Sequence, residues 1–320
     1  MKNVTLRQLK VFEAVASHLS FSRAAQELHL TQPAVSMQVQ ALVEQAGVAL
    51  FEQIGKKIFL TAAGEELLRH ARRIAQQLRE ADEAMAAIRG VRGGRLNIGV
   101  VSTAKYIAPR LLVAFRDLHP EAELRLGVEN RETVVRQLAE NEIDLAIMGV
   151  PPKDFETVAE IFSEHPHVIV AAPDHPLAAA RRIAPEALAA ELFLIRESGS
   201  GTRAAMERFF GERNVELAKT LELASNETIK QAVMAGMGLS FLSGHSISLE
   251  LSVGRVVTLD VVGTPVIRHW HIVHRSQKEL LPMAAAFLDF VRAEAPRLIA
   301  DQSPAWHSTA TTRPVRQKKK

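Results

Sequence analysis

The stretch Ser20 to Phe51, SFSRAAQELHLTQPAVSMQVQALVEQAGVALF, constrains this chain more than any other. Ser22 can accept hydrogen bonds from the free N–H groups of a first helical turn, and Arg23 to Leu28 are good helix formers with Ala24, Ala25 and Leu28 at helical spacing. After a turn at His29 and Leu30, Thr31 stands as a second N-cap and Pro33 falls in the first turn, where a missing N–H leaves no bond unmade. Val35, Val39 and Leu42 then recur at i, i+4, i+7 and predict one buried face, while Pro33, Ser36, Met37 and Gln40 project from the other. This pattern predicts a helix-turn-helix that lays its second helix in the major groove of DNA. Gln32 and Ser36 suit base edges there, because a Gln amide pairs bidentately with adenine and a Ser hydroxyl donates or accepts. An ordinary helical hairpin has the same spacing, so spacing alone does not separate the two readings.

Linked motifs separate them. Arg23-Ala24-Ala25, Thr31-Gln32-Pro33-Ala34-Val35-Ser36, Leu50-Phe51-Glu52 and Leu60-Thr61-x-x-Gly64, in that order, resemble the N-terminal winged helix-turn-helix of the LysR-type transcriptional regulators. On that resemblance Thr31, Gln32, Pro33, Ser36, Met37 and Gln40 face DNA. The chain departs from the family pattern at Met37 and Gln53, where many members carry Arg. Thr5 caps a first helix whose Leu6, Leu9, Phe12, Val15 and Ala16 form a core stripe. Gln53 to Leu60, with a Gly between short strand-like pieces, predicts a β-hairpin wing carrying Lys56 and Lys57 at its tip. A charged tip is usually only solvated, but beside a recognition helix contact with phosphate or the minor groove is the favoured reading.

With 320 residues and 47% hydrophobic composition the chain can bury a large core and should hold two or three domains. No run approaches a membrane span and the start leads into an amphipathic helix rather than a signal sequence, so a cytoplasmic protein without membrane contact is expected. The absence of cysteine excludes disulfides, thiolate metal sites and sulfur-based sensing. Arg313, Arg316, Lys318, Lys319 and Lys320 supply five of the 39 basic residues, and without them 34 bases face 36 acids. The DNA reading therefore rests on placement rather than on bulk charge.

From Thr61 to Arg92, Leu67, Ala71, Ile74, Leu78, Ala81, Met85 and Ile88 recur at spacings of 4 and 3, with charged residues on the flanks. Such a heptad seam predicts a helix that pairs with another helix. In the family this segment is the linker helix that forms the dimer, members commonly assemble as tetramers, and RNA polymerase enters as a further partner. Residues 89 to 94 read as a hinge. From residue 95 strands and helices alternate, which predicts α/β with mainly parallel strands and resembles the family's periplasmic-binding-protein-like effector domain. The expected plan is a DNA-binding domain over residues 1–60, a linker over 61–94, an effector domain over 95–295 and a disordered basic tail over 296–320. Within the effector domain, sub-domain I covers about 95–164 and 268–295 and sub-domain II about 165–267, with crossings near 164–167 and 263–265.

Ligands in open α/β sheets bind beyond the carboxyl ends of strands. Ser102, Thr103, Lys105, Asn130, Glu132, Gly149, Gly201, Thr202, Arg203 and Asn226 fall at such places and together predict an anion clamp. Taken singly, a Ser or Asn there is more often a cap. The segments ESGSGTR, IDLAIMGVPP and SNETIKQAVMAGMGLSFLS, among others, narrow the resemblance to the Calvin-cycle regulators, which control RuBisCO operons. That resemblance implies an anionic effector such as a sugar phosphate, phosphoenolpyruvate or NADPH, and no cofactor. A regulator of another operon with a carboxylate effector is the alternative, and a solute-binding protein a remote one. No P-loop, G-x-G-x-x-G, G-x-S-x-G or HExxH motif points to an enzyme, and His165, His167, His269, His271 and His274 read as structural or surface residues rather than metal ligands.

Overall fold

The computed structural model describes residues 1, 3–55, 57–88 and 93–300. The chain divides into two compact units, one built on Met1–Gly94 with the short Gln137–Glu142 stretch, the other on Arg95–Arg136 and the chain from Ile143 onward. Among the described residues no helix is long and apolar enough to cross a membrane.

In the first unit, α1 (Leu6–His18) begins at Thr5, whose hydroxyl accepts from the Gln8 N–H at 3.2 Å while Gln8 Oε1 accepts from the Thr5 N–H at 2.8 Å. The cap of α2 (Phe21–Glu27) is Ser20 rather than Ser22, with the Ser20 hydroxyl accepting from the Arg23 N–H at 3.3 Å. Packing moves the start forward, since the Phe21 ring lies 5.9 Å from that of Phe51 and is held within the helix. Thr31 caps α3 (Gln32–Ala46), Pro33 lies in its first turn, and Gly47 ends it at a φ of 73°. Val35, Val39 and Leu42 are buried as predicted. The wing is an antiparallel hairpin of β1 (Phe51–Ile54) and β2 (Lys57–Leu60), which pairs Ile54 with Lys57 across a two-residue turn. Lys56, in that turn, lies outside the described residues.

The helix α4 (Ala62–Ile88) corrects part of the seam expected from the heptads. Leu67 and Ala71 are buried with Leu68 against Leu9, Phe12, Leu42 and Leu50, so their apolar surface belongs to the core of their own unit. Beyond that core Ile74, Leu78 and Met85 are 41, 44 and 53% exposed, and Ala81 is exposed too. The Ile88 side chain lies outside the described residues.

The second unit runs β3 (Gly94–Val101), α5 (Ala108–Leu118), β4 (Ala122–Glu129), α6 (Arg131–Ala139), β5 (Leu145–Met148), β6 (Thr157–Ala171), β7 (Leu192–Ile195), α7 (Gly201–Gly211), β8 (Lys219–Glu222), α8 (Asn226–Met234), β9 (Leu239–Ser243), α9 (Ser248–Ser252), β10 (Val257–Thr258), β11 (Val266–Arg275) and α10 (Pro282–Ala300). The strands form one sheet in the order β4-β3-β5-β11-β6-β9-β7-β8, with β10 also on β6. Pairing is parallel for β3 with β5 and for β7 with β8 and β9, as helical crossovers require. It is antiparallel wherever β6 or β11 takes part, which corrects the expectation of mainly parallel strands.

Both crossings are continuous strands rather than loops. β6 leaves one core at Phe162 and enters the others at Val168 and Ile169, and β11 passes from Val266 in one core to Trp270 in the next. The last helix runs to Ala300, so Pro296 to Ala300 belong to it and not to a disordered tail. Burial of Ala295 and Ile299, and an Arg110 Nη1 donation to the Leu298 carbonyl at 3.1 Å, hold that turn despite the proline. Residues 301–320, where the basic tail was expected, lie outside the described residues.

Candidate functional site

The outward face of α3 presents Thr31, Gln32, Pro33, Met37 and Gln40 to solvent, with Ser36 half-buried among them. Gln32 Nε2 donates to Ser36 Oγ at 3.1 Å, which holds the two candidate base readers in one orientation at the helix start. Gln40 donates to Glu44 at 3.3 Å and Gln53 to the Gly55 carbonyl at 2.9 Å. Lys57 is exposed on the wing. Polar hydrogen-bonding groups standing clear of a buried Val35, Val39 and Leu42 face are what an α-helix in a major groove requires.

In the second unit a cavity of about 690 Å³ opens where the strand ends of the two halves meet β6 and β11. Ser102, Thr103, Asn130, Gly149, Gly201, Thr202 and Arg203 line it. Lys105, Glu132 and Asn226 do not. Lys105 sits 3.3 Å from Glu227, and Asn226 is buried behind the wall, where Arg196 Nη1 donates to its Oδ1. Asn130 also accepts from the Thr133 N–H at 2.8 Å, the helix-cap role open to any Asn at such a place. Arg203 is engaged by Glu207 and Glu222 and donates to the Arg196 carbonyl, so little of its charge is left for a ligand.

Two other arginines carry the site. Arg196, only 4% exposed at the end of β7, donates from Nε and Nη2 to the Glu197 carboxylate at 2.7 Å and from Nη2 to Ser102 Oγ at 3.1 Å, so its part is to join the two halves of the unit. Arg268, on β11, donates from Nη1 to the Gly201 carbonyl at 2.7 Å, at the start of α7. Burial lowers the pKa of Arg268, and Arg208 and Arg131 push it the same way. Six arginines and three glutamates line the cavity, and Arg131, Arg208 and Arg268 have no carboxylate partner among the described residues. Positive charge concentrated by low-dielectric walls beside the first turn of α7 suits an anion. Among the described residues no group of three His, Cys, Asp or Glu could hold a metal ion.

Residues 6–65 match the model of the bacterial regulatory helix-turn-helix protein, lysR family, and residues 89–296 match the LysR substrate binding domain. The chain belongs to the LysR family. A RuBisCO operon transcriptional regulator of Allochromatium vinosum is 51% identical over 296 residues, 92% of this chain and 98% of the relative. The regulatory domain of CcmR from Synechocystis PCC6803, solved in complex with 2-PG, is 39% identical with a TM-score of 0.60, covering 63% of this chain and 96% of that one. Full-length CbnR solved with its target DNA is 27% identical with a TM-score of 0.68, covering 90% and 99%.

In this LysR regulator, sequence reasoning overlooked Arg196, Arg268 and His165 as cleft residues. Arg196 directly follows β7, so the strand-end rule that selected Ser102 and Asn130 applies to it too. Arg268 and His165 carry no local signal. They are brought together by the register of β11 on β6, which sets Arg268 directly opposite His165.

Proposed function

We propose that this LysR regulator controls carbon-dioxide-fixation genes in the cytoplasm, binding double-stranded DNA as a dimer within a tetramer and acting by binding alone, without catalysis or cofactor. A small phosphorylated acid in the cleft sets its activity. The observation that carries the effector reading is the cavity in which Arg131, Arg208 and Arg268 have no carboxylate partner among the described residues, with Arg196 bonded to Ser102 of the other half and Arg268 bonded to the start of α7. An anion held from both halves binds the closed form better than the open one, and only such a difference in affinity shifts a conformational equilibrium. The 51% identity to a RuBisCO operon regulator and the 2-PG held by CcmR support the gene class and the ligand class. The same reading assigns Thr31, Gln32, Pro33, Ser36, Met37 and Gln40 to DNA contact, with Gln32 and Ser36 reading bases, and Lys56 and Lys57 to phosphate or the minor groove.

Calorimetry with 2-phosphoglycolate, phosphoenolpyruvate, sugar phosphates and NADPH tests it, on the wild type and on Arg268→Ala and Arg203→Ala. At least one phosphorylated acid should bind. Arg268→Ala should lose about 1.5 to 3 kcal/mol, the worth of a charge-assisted hydrogen bond, and Arg203→Ala clearly less because Glu207 and Glu222 already hold its guanidinium. Binding of uncharged or aromatic compounds alone would remove the effector reading. A gel shift that finds no preference for the region upstream of the RuBisCO genes would remove the gene assignment.

A further inference from the structure

His165 lies at the base of the cleft and the anion-clamp reading does not use it. It is 2% exposed, its ring stacks on Trp270 at 3.7 Å between centroids and 14° between planes, and its Nε2 is 2.9 Å from Ser243 Oγ. Its Nδ1 has no hydrogen-bond partner among the described residues, although the residue lines the cavity. A buried polar atom without a partner costs free energy and calls for a reason. The neighbourhood supplies one. A Cβ on Gly149 would stand 3.4 Å from His165 Nδ1 and 3.5 Å from Arg268 Nη2, so both nitrogens flank the space in front of this glycine. Arg268 Nη1 is taken by the Gly201 carbonyl.

The ring is neutral, because burial first, then His167, His245 and Arg268 around it, hold its pKa well below the usual histidine value. One ring nitrogen therefore carries a proton, and the Ser243 hydroxyl decides which is free to do so, since it can donate to Nε2 as well as accept from it. When Ser243 donates, Nδ1 carries the N–H and offers a donor to the space that Arg268 also flanks. A neutral donor and a guanidinium on either side of one glycine suit an anionic head placed between them.

We infer that His165 Nδ1 and Arg268 Nη2 form a second anion-binding point at the floor of the cleft, so that the effector carries two anionic heads. One is a phosphate at the start of α7, and the other is a carboxylate or second phosphate beside Gly149. This rests on the effector reading above and makes it narrower, because a monophosphate of the same length leaves the floor point unused.

The probes are 2-phosphoglycolate and ethyl phosphate, which share a skeleton and differ by the carboxylate, with ethylene glycol bisphosphate as the arm carrying a second phosphate. Affinities are measured by calorimetry on the full chain, with thermal melting as the check on folding. The wild type should prefer a two-headed ligand over ethyl phosphate by about tenfold or more, the effect of one charge-assisted hydrogen bond, and the better of the two identifies the second head. His165→Asn keeps a donor near the Nδ1 position and should retain the preference within a few-fold. His165→Gln places its donor near the Nε2 position and should lose the preference while still binding ethyl phosphate. Gly149→Ala crowds the floor point without altering His165, and should lose the preference as well even if the Gln variant fails to fold. Equal affinity of the wild type for one-headed and two-headed ligands, or a preference that survives both His165→Gln and Gly149→Ala, overturns the floor point and leaves the phosphate reading standing. If the wild type binds none of the three probes, the floor point falls, while the effector reading is decided by the wider panel above.

Discussion

Gly64 lets the first turn of α4 close onto the loop before β1. The Thr61 hydroxyl donates to the Ala49 carbonyl at 2.7 Å and accepts from the Gly64 N–H at 3.0 Å, and a Cβ at position 64 would overlap the Leu50 carbonyl oxygen. The Leu60-Thr61-x-x-Gly64 motif is thus a packing requirement between backbone segments. Gly64→Ala should destabilise the first unit by about 1 to 3 kcal/mol, the usual cost of forcing an extra methyl into a close contact. Urea denaturation would register it as a lower midpoint. Residue-level chemistry was legible wherever the partner is local, as at Thr5 and Thr31, whose caps need only the next helical turn. It was hidden where the partner arrives from far along the chain. Arg203 looked like the anion ligand because it opens a helix after glycines, yet Glu222 of β8 meets its guanidinium from 19 residues away.

The linker helix shows the same division at the scale of an element. Its narrow heptad spacing favours a coiled-coil seam over packing on its own unit, yet periodicity alone cannot tell a partner helix from a helix of the same unit. In the structure the stripe is shared, with Leu67 and Ala71 in the core and Ile74, Leu78, Ala81 and Met85 left open. Charged substitutions should therefore separate the two parts. Leu78→Glu puts an unpaired charge into the proposed interface, so light scattering should report a smaller particle whose circular dichroism is unchanged. Leu67→Glu buries the charge in the core instead, and should lower the melting temperature of the DNA-binding unit whatever the oligomeric state. An unchanged particle size for Leu78→Glu would move the main interface off this helix. The β-strands were legible as elements, but their direction was not, because only the return of β11 beside β6 sets the antiparallel centre of the sheet.

Across the molecule, histidines are gathered where the two halves of the second unit join. His167 is fully buried with Nδ1 donating to the His165 carbonyl at 3.1 Å, and His245 lies beside Trp270. Burial, reinforced by Arg268, pushes His167 down to about 3, and burial pushes His245 down to about 4. Both folded values lie below the unfolded one of about 6.5, so the unfolded chain binds more protons between them and the fold loses stability as pH falls. The stability is fully present above pH 6.5 and drains through the window down to about 4 for His245 and about 3 for His167. At about 1.4 kcal/mol per pKa unit, several kcal/mol are withdrawn by the acid end. Urea titrations followed by Trp270 fluorescence should show the midpoint falling below pH 6.5, and His167→Phe should flatten that fall.

β6 runs unbroken through 15 residues and β11 through ten, and the two hydrogen-bond along their length except for a register shift between Trp270 and His271. Two laddered strands do not swing like a loop, because large rotation would strip backbone bonds from the middle of a sheet. They twist, as a leaf spring does, through small angles and with a restoring torque. The irregular step at Trp270 interrupts the ladder, and the ring stacked on Trp270 is His165. On the floor-point reading, a ligand that grips this ring acts where the register of the ladder breaks, and twist rather than travel is the motion open to it.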